Sequence, residues 1–199
     1  ALSSFGFSQT TVKPQQVEPK NAKKLAKEFL KANHIPGMAI SVSRHGKLIW
    51  SKGFGYARLK PKKRVKPKKT IFRIASISKS ITAVTLAKLT DETLVDLDKS
   101  IYEYLPDYPK KTYDFTVRQL GGNIAGLRHY KSDSEYALNK KMSITDGLSL
   151  FKEDPLLFEP GTQFNYSSPG YVLLSEIIQK TVGIPYATLV TDSIFKPLG

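Results

Sequence analysis

The chain has 199 residues, of which 40% are hydrophobic and 24% charged, a balance typical of a globular protein with one substantial core or two small ones. No apolar run approaches the roughly 20 residues of a membrane-spanning helix, so no transmembrane segment is predicted. Cysteine is absent, which excludes disulfides and thiolate metal sites. The formal charge of +14 makes nucleic acid the first partner to test.

Residues 1–19 are predicted to be a flexible or signal-derived segment. The chain opens with the small and apolar ALSSFGFSQ and continues with the polar, proline-containing TTVKPQQVEPK. One interpretation is the end of a signal peptide followed by the start of the mature protein, which predicts a periplasmic or secreted location. The other interpretation is a frayed terminus.

A helix and a β-hairpin are predicted next. Asn21 is a candidate N-cap, apolar residues recur behind it at helical spacing, and the helix should end near Asn33 because proline and glycine follow. Residues 38–57 form two short apolar and β-branched runs around His45-Gly46. This pattern predicts two antiparallel strands joined by a tight turn.

Much of the excess charge lies in the run KPKKRVKPKK, residues 60–69. Pro61 and Pro67 exclude a helix, and no aromatic residues alternate with the lysines to stack on bases. We therefore predict a solvated surface loop and expect no nucleic-acid partner. A nucleic-acid or anionic-surface patch is the alternative interpretation.

The second half of the sequence is predicted to be mainly helical. Residues 77–90 are apolar on most sides, which predicts a buried helix with Ser76 or Ser78 as its cap. Short helical pieces and loops follow from about 115 to 165. Ser167 or Ser168 should then cap a last long helix that has Pro169 at its start, a favoured arrangement.

The three histidines are distant from one another in the sequence and from any cluster of carboxylates. His34, His45 and His129 are interpreted as surface or loop residues. Neither a Ser-His-Asp triad nor a metal site is predicted, and no cofactor is expected.

The pattern Ser-x-x-Lys occurs three times, at Ser76–Lys79, Ser149–Lys152 and Ser193–Lys196. The second and third copies stand beside acidic residues or proline, whereas the first opens a long apolar helix. Residues three apart on a helix lie on the same face, so Lys79 can hold its amine against the Ser76 hydroxyl, either as a neutral base or as a nearby cation. This arrangement activates a serine without a histidine.

Around this motif the sequence resembles the penicillin-recognising serine hydrolases. FRIASISKSITAVTLAKL is similar to the first motif of their class C β-lactamase and esterase branch, and most resembles the LACTB-like members. PGMAISVSRHGKLIWSKGFGYA resembles the opening hairpin of the family. FTVRQLGGNIAGLRHY resembles a loop usually written Leu-Ser-His-Thr-Ser-Gly, and EPGTQFNYSSPGYVLLSEIIQ resembles the second motif, Tyr-x-Asn. The resemblance covers residues 20–199.

The resemblance implies roles for individual residues. Ser76 would be the acylated nucleophile, Lys79 would ease its deprotonation, and Tyr166 would be the general base and later the proton donor to the leaving group. Ser168 replaces the asparagine of Tyr-x-Asn, and GGNIA, with Asn123 at its centre, replaces LSHTS. Ser168 and Asn123 are therefore the predicted substrate-binding residues, and these departures from the family pattern affect substrate preference.

The implied fold is α/β, an antiparallel sheet flanked by helices with an inserted, mainly helical subdomain at about residues 100–165. The family's later strands, one of which carries Lys-Thr-Gly or His-x-Gly and an oxyanion-hole amide, have no counterpart in this sequence. Residues 20–199 are therefore expected to be an N-terminal portion that pairs with a C-terminal remainder and is catalytically incomplete without it.

The implied activity is hydrolysis of an ester, peptide or β-lactam through a serine acyl-enzyme. The alternative is a non-catalytic protein on the same scaffold that binds cell-wall peptide or another ligand.

Overall fold

A computed structural model describes residues 20–138 and 140–198, so the predicted segment 1–19 lies outside the described residues. The chain divides into two compact units, Ala1–Arg73 and Ile74–Gly199. Within the described ranges, no helix has both the length and the apolar composition that crossing a membrane requires.

Over its described residues, the first unit consists of one helix and a small antiparallel sheet. Helix α1 spans Lys20–Ala32, and the strands are β1 (Gly37–Arg44), β2 (Lys47–Arg58) and β3 (Lys63–Arg64), in the order β1-β2-β3. The predicted hairpin is confirmed. His45 and Gly46 both have positive φ, at 49° and 72°, as the tight turn between twisted strands requires. Because α1 already begins at Lys20, Asn21 lies inside the helix and is not its cap.

A minor core joins the helix to the sheet. Ala26 of α1 packs with Trp50 and Phe54 of β2, whose rings lie 6.2 Å apart. The sequence predicts a surface loop for the basic run 60–69, but the run is not wholly a loop. Two of its residues form β3 beside β2, and Val65 is buried, with its N–H donating to the Gly55 carbonyl.

About half of the described residues of the second unit lie in helices. Its α-helices are α2 (Ser78–Asp91), α3 (Val117–Gly121), α4 (Asp133–Tyr136), α5 (Ile144–Leu148), α6 (Ser168–Val182), α7 (Tyr186–Val190) and α8 (Lys196–Leu198). Single 3₁₀ turns lie at Ala75–Ile77 and Ile101–Glu103. The short helices between residues 115 and 150 therefore occur where the sequence predicts them.

Helix α6 is central to the core of this unit. Its buried apolar side chains are Leu173, Leu174, Ile177 and Ile178. They belong to one core together with residues of α2, α3, α5 and the segments between them, among them Leu89, Ile101, Phe115, Val117 and Leu148. Ser167 caps the helix as predicted, since its hydroxyl accepts a hydrogen bond from the Gly170 N–H. Gly183, at φ 68°, ends it in the left-handed conformation.

Helix α2 differs from its prediction in two respects. It is buried along one side, at Thr82, Thr85, Leu86 and Leu89, whereas Val84 is 54% exposed. Neither Ser76 nor Ser78 caps it, because the chain enters the helix through the 3₁₀ turn and Ile77 occupies the N-cap position without a side-chain hydrogen bond. This leaves the Ser76 hydroxyl free of a capping role.

Candidate active site

Ser76 lies at the centre of the 3₁₀ turn that precedes α2, and its side chain is exposed. The residue before it, Ala75, has a φ of 45°, which is unfavourable for a residue with a Cβ. Such backbone strain persists only where the surrounding structure holds it, and it is concentrated at functional sites.

Lys79, in the first turn of α2, directs its ammonium group at hydroxyl groups. Its Nζ lies 3.3 Å from Ser76 Oγ and 3.0 Å from Ser168 Oγ, donating to both. The same nitrogen lies 4.6 Å from the ring centre of Tyr166 and 5.5 Å from that of Tyr171. Among the described residues no carboxylate pairs with Lys79, so its charge acts mainly on these oxygens and aromatic rings.

Tyr166 completes this cluster. Its hydroxyl donates a hydrogen bond of 2.7 Å to Ser76 Oγ, although 90 positions separate the two residues in the sequence. The Lys79 ammonium, as the largest cause, holds the pKa of the Tyr166 phenol below its usual value, and hydrogen bonding with Ser76 and Ser168 lowers it further. The structure therefore brings together Ser76, Lys79, Tyr166 and Ser168.

The loop that carries Tyr166 is anchored to the segment 123–129 by hydrogen bonds to backbone groups. Asn165 donates through Nδ2 to the Leu127 carbonyl at 2.8 Å, and the Ser167 hydroxyl donates to the Arg128 carbonyl at 2.7 Å. Asn123 accepts from the Ser167 N–H at 2.9 Å through its side-chain oxygen. Asn123 thus holds the loop in place, and its amide nitrogen has no hydrogen-bond partner among the described residues. Substrate binding by that group stays a prediction.

A cluster of charges around the buried Arg128, which the sequence did not indicate, holds the same segment in place. Arg128 is only 9% exposed and forms ion pairs with Asp154 at 2.6 Å and with Glu135 at 2.9 Å. It also donates to the carbonyls of His129 and Leu150. Hydrogen bonds from Lys131, and then from Arg128, lower the pKa of the Asp154 carboxyl. The charges therefore satisfy one another and lock the backbone next to His129.

His129 lies in a loop, which is one of the two interpretations of its sequence position, but its side chain is not isolated. Its Nδ1 accepts a hydrogen bond of 3.2 Å from the Ser168 N–H, and its ring meets that of Tyr166 edge-on at 5.4 Å. Burial lowers the pKa of the imidazole, and the nearby Lys79 charge lowers it further. An accepting Nδ1 places the proton of the neutral ring on Nε2. In the sequence, His129 was singled out only as part of FTVRQLGGNIAGLRHY, the segment that resembles a family loop.

Metal binding has no support in this part of the molecule. Across residues 20–138 and 140–198, no group of three or more histidine or acidic side chains is arranged to hold an ion. The arrangement instead offers a hydroxyl, an ammonium group and a phenol within hydrogen-bond reach of one another. Such a set can activate a serine by proton transfer.

Comparison with known proteins places this geometry in a family. The model of the β-lactamase family matches residues 22–199. The chain belongs to the β-lactamase family. The fold class predicted from the resemblance, an antiparallel sheet with helices in the β-lactamase and transpeptidase manner, is confirmed, as is the resemblance itself.

Three relatives illustrate how far the similarity extends. The human mitochondrial serine β-lactamase-like protein LACTB is 32% identical over 220 residues, covering 76% of this chain and 40% of the relative. The octameric penicillin-binding protein homologue from Pyrococcus abyssi matches with a TM-score of 0.80 at 25% identity, covering 92% of this chain and 43% of that one. The D-amino acid amidase from Ochrobactrum anthropi matches with a TM-score of 0.76 at 28% identity, covering 90% and 49%.

This β-lactamase-family chain thus spans about 40% of the length of the curated relative described above. That relative is mitochondrial, so export to the periplasm or the outside stays a prediction for this chain. The roles of Ser76, Lys79 and Tyr166 also remain predictions, which the geometry makes specific enough to test.

Proposed function

We propose that the protein hydrolyses an acyl bond through a covalent acyl-enzyme on Ser76. The observation that carries this proposal is the convergence of two proton-handling groups on one hydroxyl. Tyr166 Oη lies 2.7 Å and Lys79 Nζ 3.3 Å from Ser76 Oγ. The Tyr166 distance is within the reach expected of a nucleophile and its base, and the Lys79 distance is slightly longer, as is common in a site without substrate.

In the proposed acylation step, the Tyr166 phenolate takes the proton of the Ser76 hydroxyl. Ser76 Oγ then bonds to the carbonyl carbon of the substrate, and the carbonyl electron pair moves onto oxygen to give a tetrahedral oxyanion. When this intermediate collapses, the bond to the leaving alcohol or amine breaks, and Tyr166 gives that group its proton. The positive charge of Lys79 favours both the phenolate and the developing serine alkoxide.

Deacylation repeats the same proton transfers with water. Tyr166, again a phenolate, takes a proton from a water molecule, and the resulting hydroxide attacks the ester carbon of acylated Ser76. The bond to Ser76 Oγ then breaks, and Tyr166 returns the proton to that oxygen as the acid product leaves. One residue thus serves alternately as base and acid, which requires its pKa to lie nearer the working pH than that of free tyrosine.

The proposed substrate class is an ester, a peptide or a β-lactam, with small activated esters preferred. Ser168 stands where the family has an asparagine, and its hydroxyl already accepts from Lys79. A site without that amide lacks a hydrogen bond for an amide carbonyl, and such a loss discriminates against the ligand that needs it. Comparing kcat/KM for p-nitrophenyl acetate and nitrocefin on one preparation tests the preference, which a higher value for nitrocefin would contradict.

A covalent probe tests the nucleophile directly. Because the chain spans 40% of its human relative, the assay uses the protein expressed from the complete open reading frame. A fluorophosphonate should label the wild type and the Ser78→Ala variant, since Ser78 is exposed and has no side-chain hydrogen bond among the described residues. Ser76→Ala should abolish labelling. Labelling that persists in Ser76→Ala would assign the nucleophile elsewhere, and a folded wild type that is never labelled would favour the ligand-binding alternative.

A further inference from the structure

The net positive charge of the chain comes from its first unit. Residues 20–73 contain 17 lysine and arginine residues and a single acidic residue, Glu28. Residues 74–199 contain 13 basic and 15 acidic residues, so they are nearly neutral. The sequence pattern drew attention only to the run 60–69, but the whole unit is a strongly basic module. An interaction with an anionic partner should therefore be located on this unit.

Five of these basic residues line a groove between α1 and the sheet. Lys23, Lys27 and Lys31 recur every four residues along α1, so they form one stripe on the helix. Lys52 of β2 and Arg64 of β3 line the same groove, which has a volume of about 710 Å³. None of the described residues that line it is acidic. The groove thus has cationic walls contributed by both the helix and the sheet.

The floor of this groove is apolar. Leu30, Ile35, Phe54 and Val65 line it, and Leu59 stands at its end with 56% of its surface exposed. Leu59 directly follows β2 and directly precedes the basic run 60–69. This one surface therefore offers basic side chains for anionic groups and apolar side chains for hydrocarbon. A layer of anionic phospholipid presents both kinds of group.

We propose that this surface, consisting of the groove and the run 60–69, binds an anionic phospholipid membrane. The lysine and arginine side chains contact the lipid phosphates, and Leu59 enters the layer beneath them. A nucleic acid fits the surface less well, because the aromatic rings of the sheet are not free to stack on bases. Trp50 and Phe54 are buried, and the Tyr56 ring is covered by Arg64 at 4.7 Å and Lys62 at 5.6 Å.

Vesicle flotation with the full-length protein tests this proposal. The protein should float with vesicles in which about one third of the phosphatidylcholine is replaced by phosphatidylglycerol, and not with phosphatidylcholine alone. Binding should weaken as salt is raised, because ions screen the attraction. The triple variant Lys27→Gln, Lys31→Gln and Lys52→Gln should bind about 100-fold more weakly, since each basic residue near an anionic surface contributes about fivefold.

A matched variant with the same loss of charge in the second unit is the control. Lys99, Lys141 and Lys180 are exposed, and replacing all three by glutamine should leave vesicle binding unchanged. Circular dichroism melts of both triple variants show whether each remains folded. Equal binding to neutral and anionic vesicles, or equal losses in the two triple variants, would overturn the proposal. Salt-sensitive binding to DNA without any binding to vesicles would also overturn it and reassign the surface to nucleic acid.

Discussion

Replacing Tyr166 by phenylalanine isolates one oxygen atom of the candidate site. The ring of Tyr166 packs edge-on against His129 at 5.4 Å and lies 4.6 Å from Lys79 Nζ, and phenylalanine keeps both contacts. What is lost is the hydroxyl that lies 2.7 Å from Ser76 Oγ. Because the side chain is 39% exposed, water can replace part of this hydrogen bond, and the free energy of unfolding should change by less than about 1 kcal/mol.

The effect on catalysis should be much larger than the effect on stability. A general base that also returns the proton contributes about 10² to 10⁴-fold, which corresponds to about 3–5 kcal/mol of transition-state stabilisation. Pre-steady-state hydrolysis of an activated ester by the full-length protein measures the acylation rate. Tyr130→Phe is the matched control, because Tyr130 is 38% exposed, also packs on His129 and has no hydrogen bond from its hydroxyl among the described residues. That variant should acylate at the wild-type rate.

A loss of less than about fivefold in Tyr166→Phe would refute this reasoning, since no general base contributes so little. Lys79 would then be the next candidate for the base. Equal losses in Tyr166→Phe and Tyr130→Phe would instead show that the effect is not specific to the Tyr166 hydroxyl.

Three further predictions follow from the contacts of single residues. The acylation rate should rise with pH as the Tyr166 phenol ionises, and this rise should lie below the usual tyrosine pKa near 10. Lys79→Met should move the rise to higher pH, because it removes the main cause of the lowered pKa. A pH–rate profile that does not move in this variant would contradict the prediction. Arg128→Met should destabilise the fold by about 1–3 kcal/mol in urea titrations, because it leaves two partly buried carboxylates without this partner, whereas Arg118→Met breaks a fully exposed pair and should leave the free energy of unfolding nearly unchanged. Leu173→Ala should cost about 2–5 kcal/mol in the same titration, since Leu173 is fully buried at the centre of the core; a cost below about 1 kcal/mol would mean that the site collapses around the smaller side chain.

Local signals in the sequence were sufficient where neighbouring residues decide the conformation. The turn at His45-Gly46 was predicted because glycine accepts positive φ and tight turns require it. The Ser167 cap was predicted because a hydroxyl at that position reaches a backbone N–H three residues on. The pairing of Ser76 with Lys79 was predicted for a similar reason, since three residues make about one helical turn.

Contacts between distant segments were decided by the tertiary structure. The sequence could suggest Tyr166 only through a family resemblance, because no local rule relates it to a serine 90 residues earlier. The contact between His129 and Ser168 was missed for the same reason, since the two residues are 39 positions apart. The Arg128 cluster was missed because a lone arginine in a sequence resembles a solvated one until its carboxylate partners are known.

The basic groove shows the same division. The sequence by itself determined that residues 20–73 are rich in lysine and arginine, and that prolines keep the run 60–69 from forming a helix. Only the packing of α1 on the sheet brought the lysines of the helix next to Lys52 and Arg64. In the sequence, Lys52 and Arg64 both lie more than 20 positions after these lysines. Local spacing fixes which face of a helix or strand a charge occupies, but long-range packing of apolar faces decides which charges become neighbours.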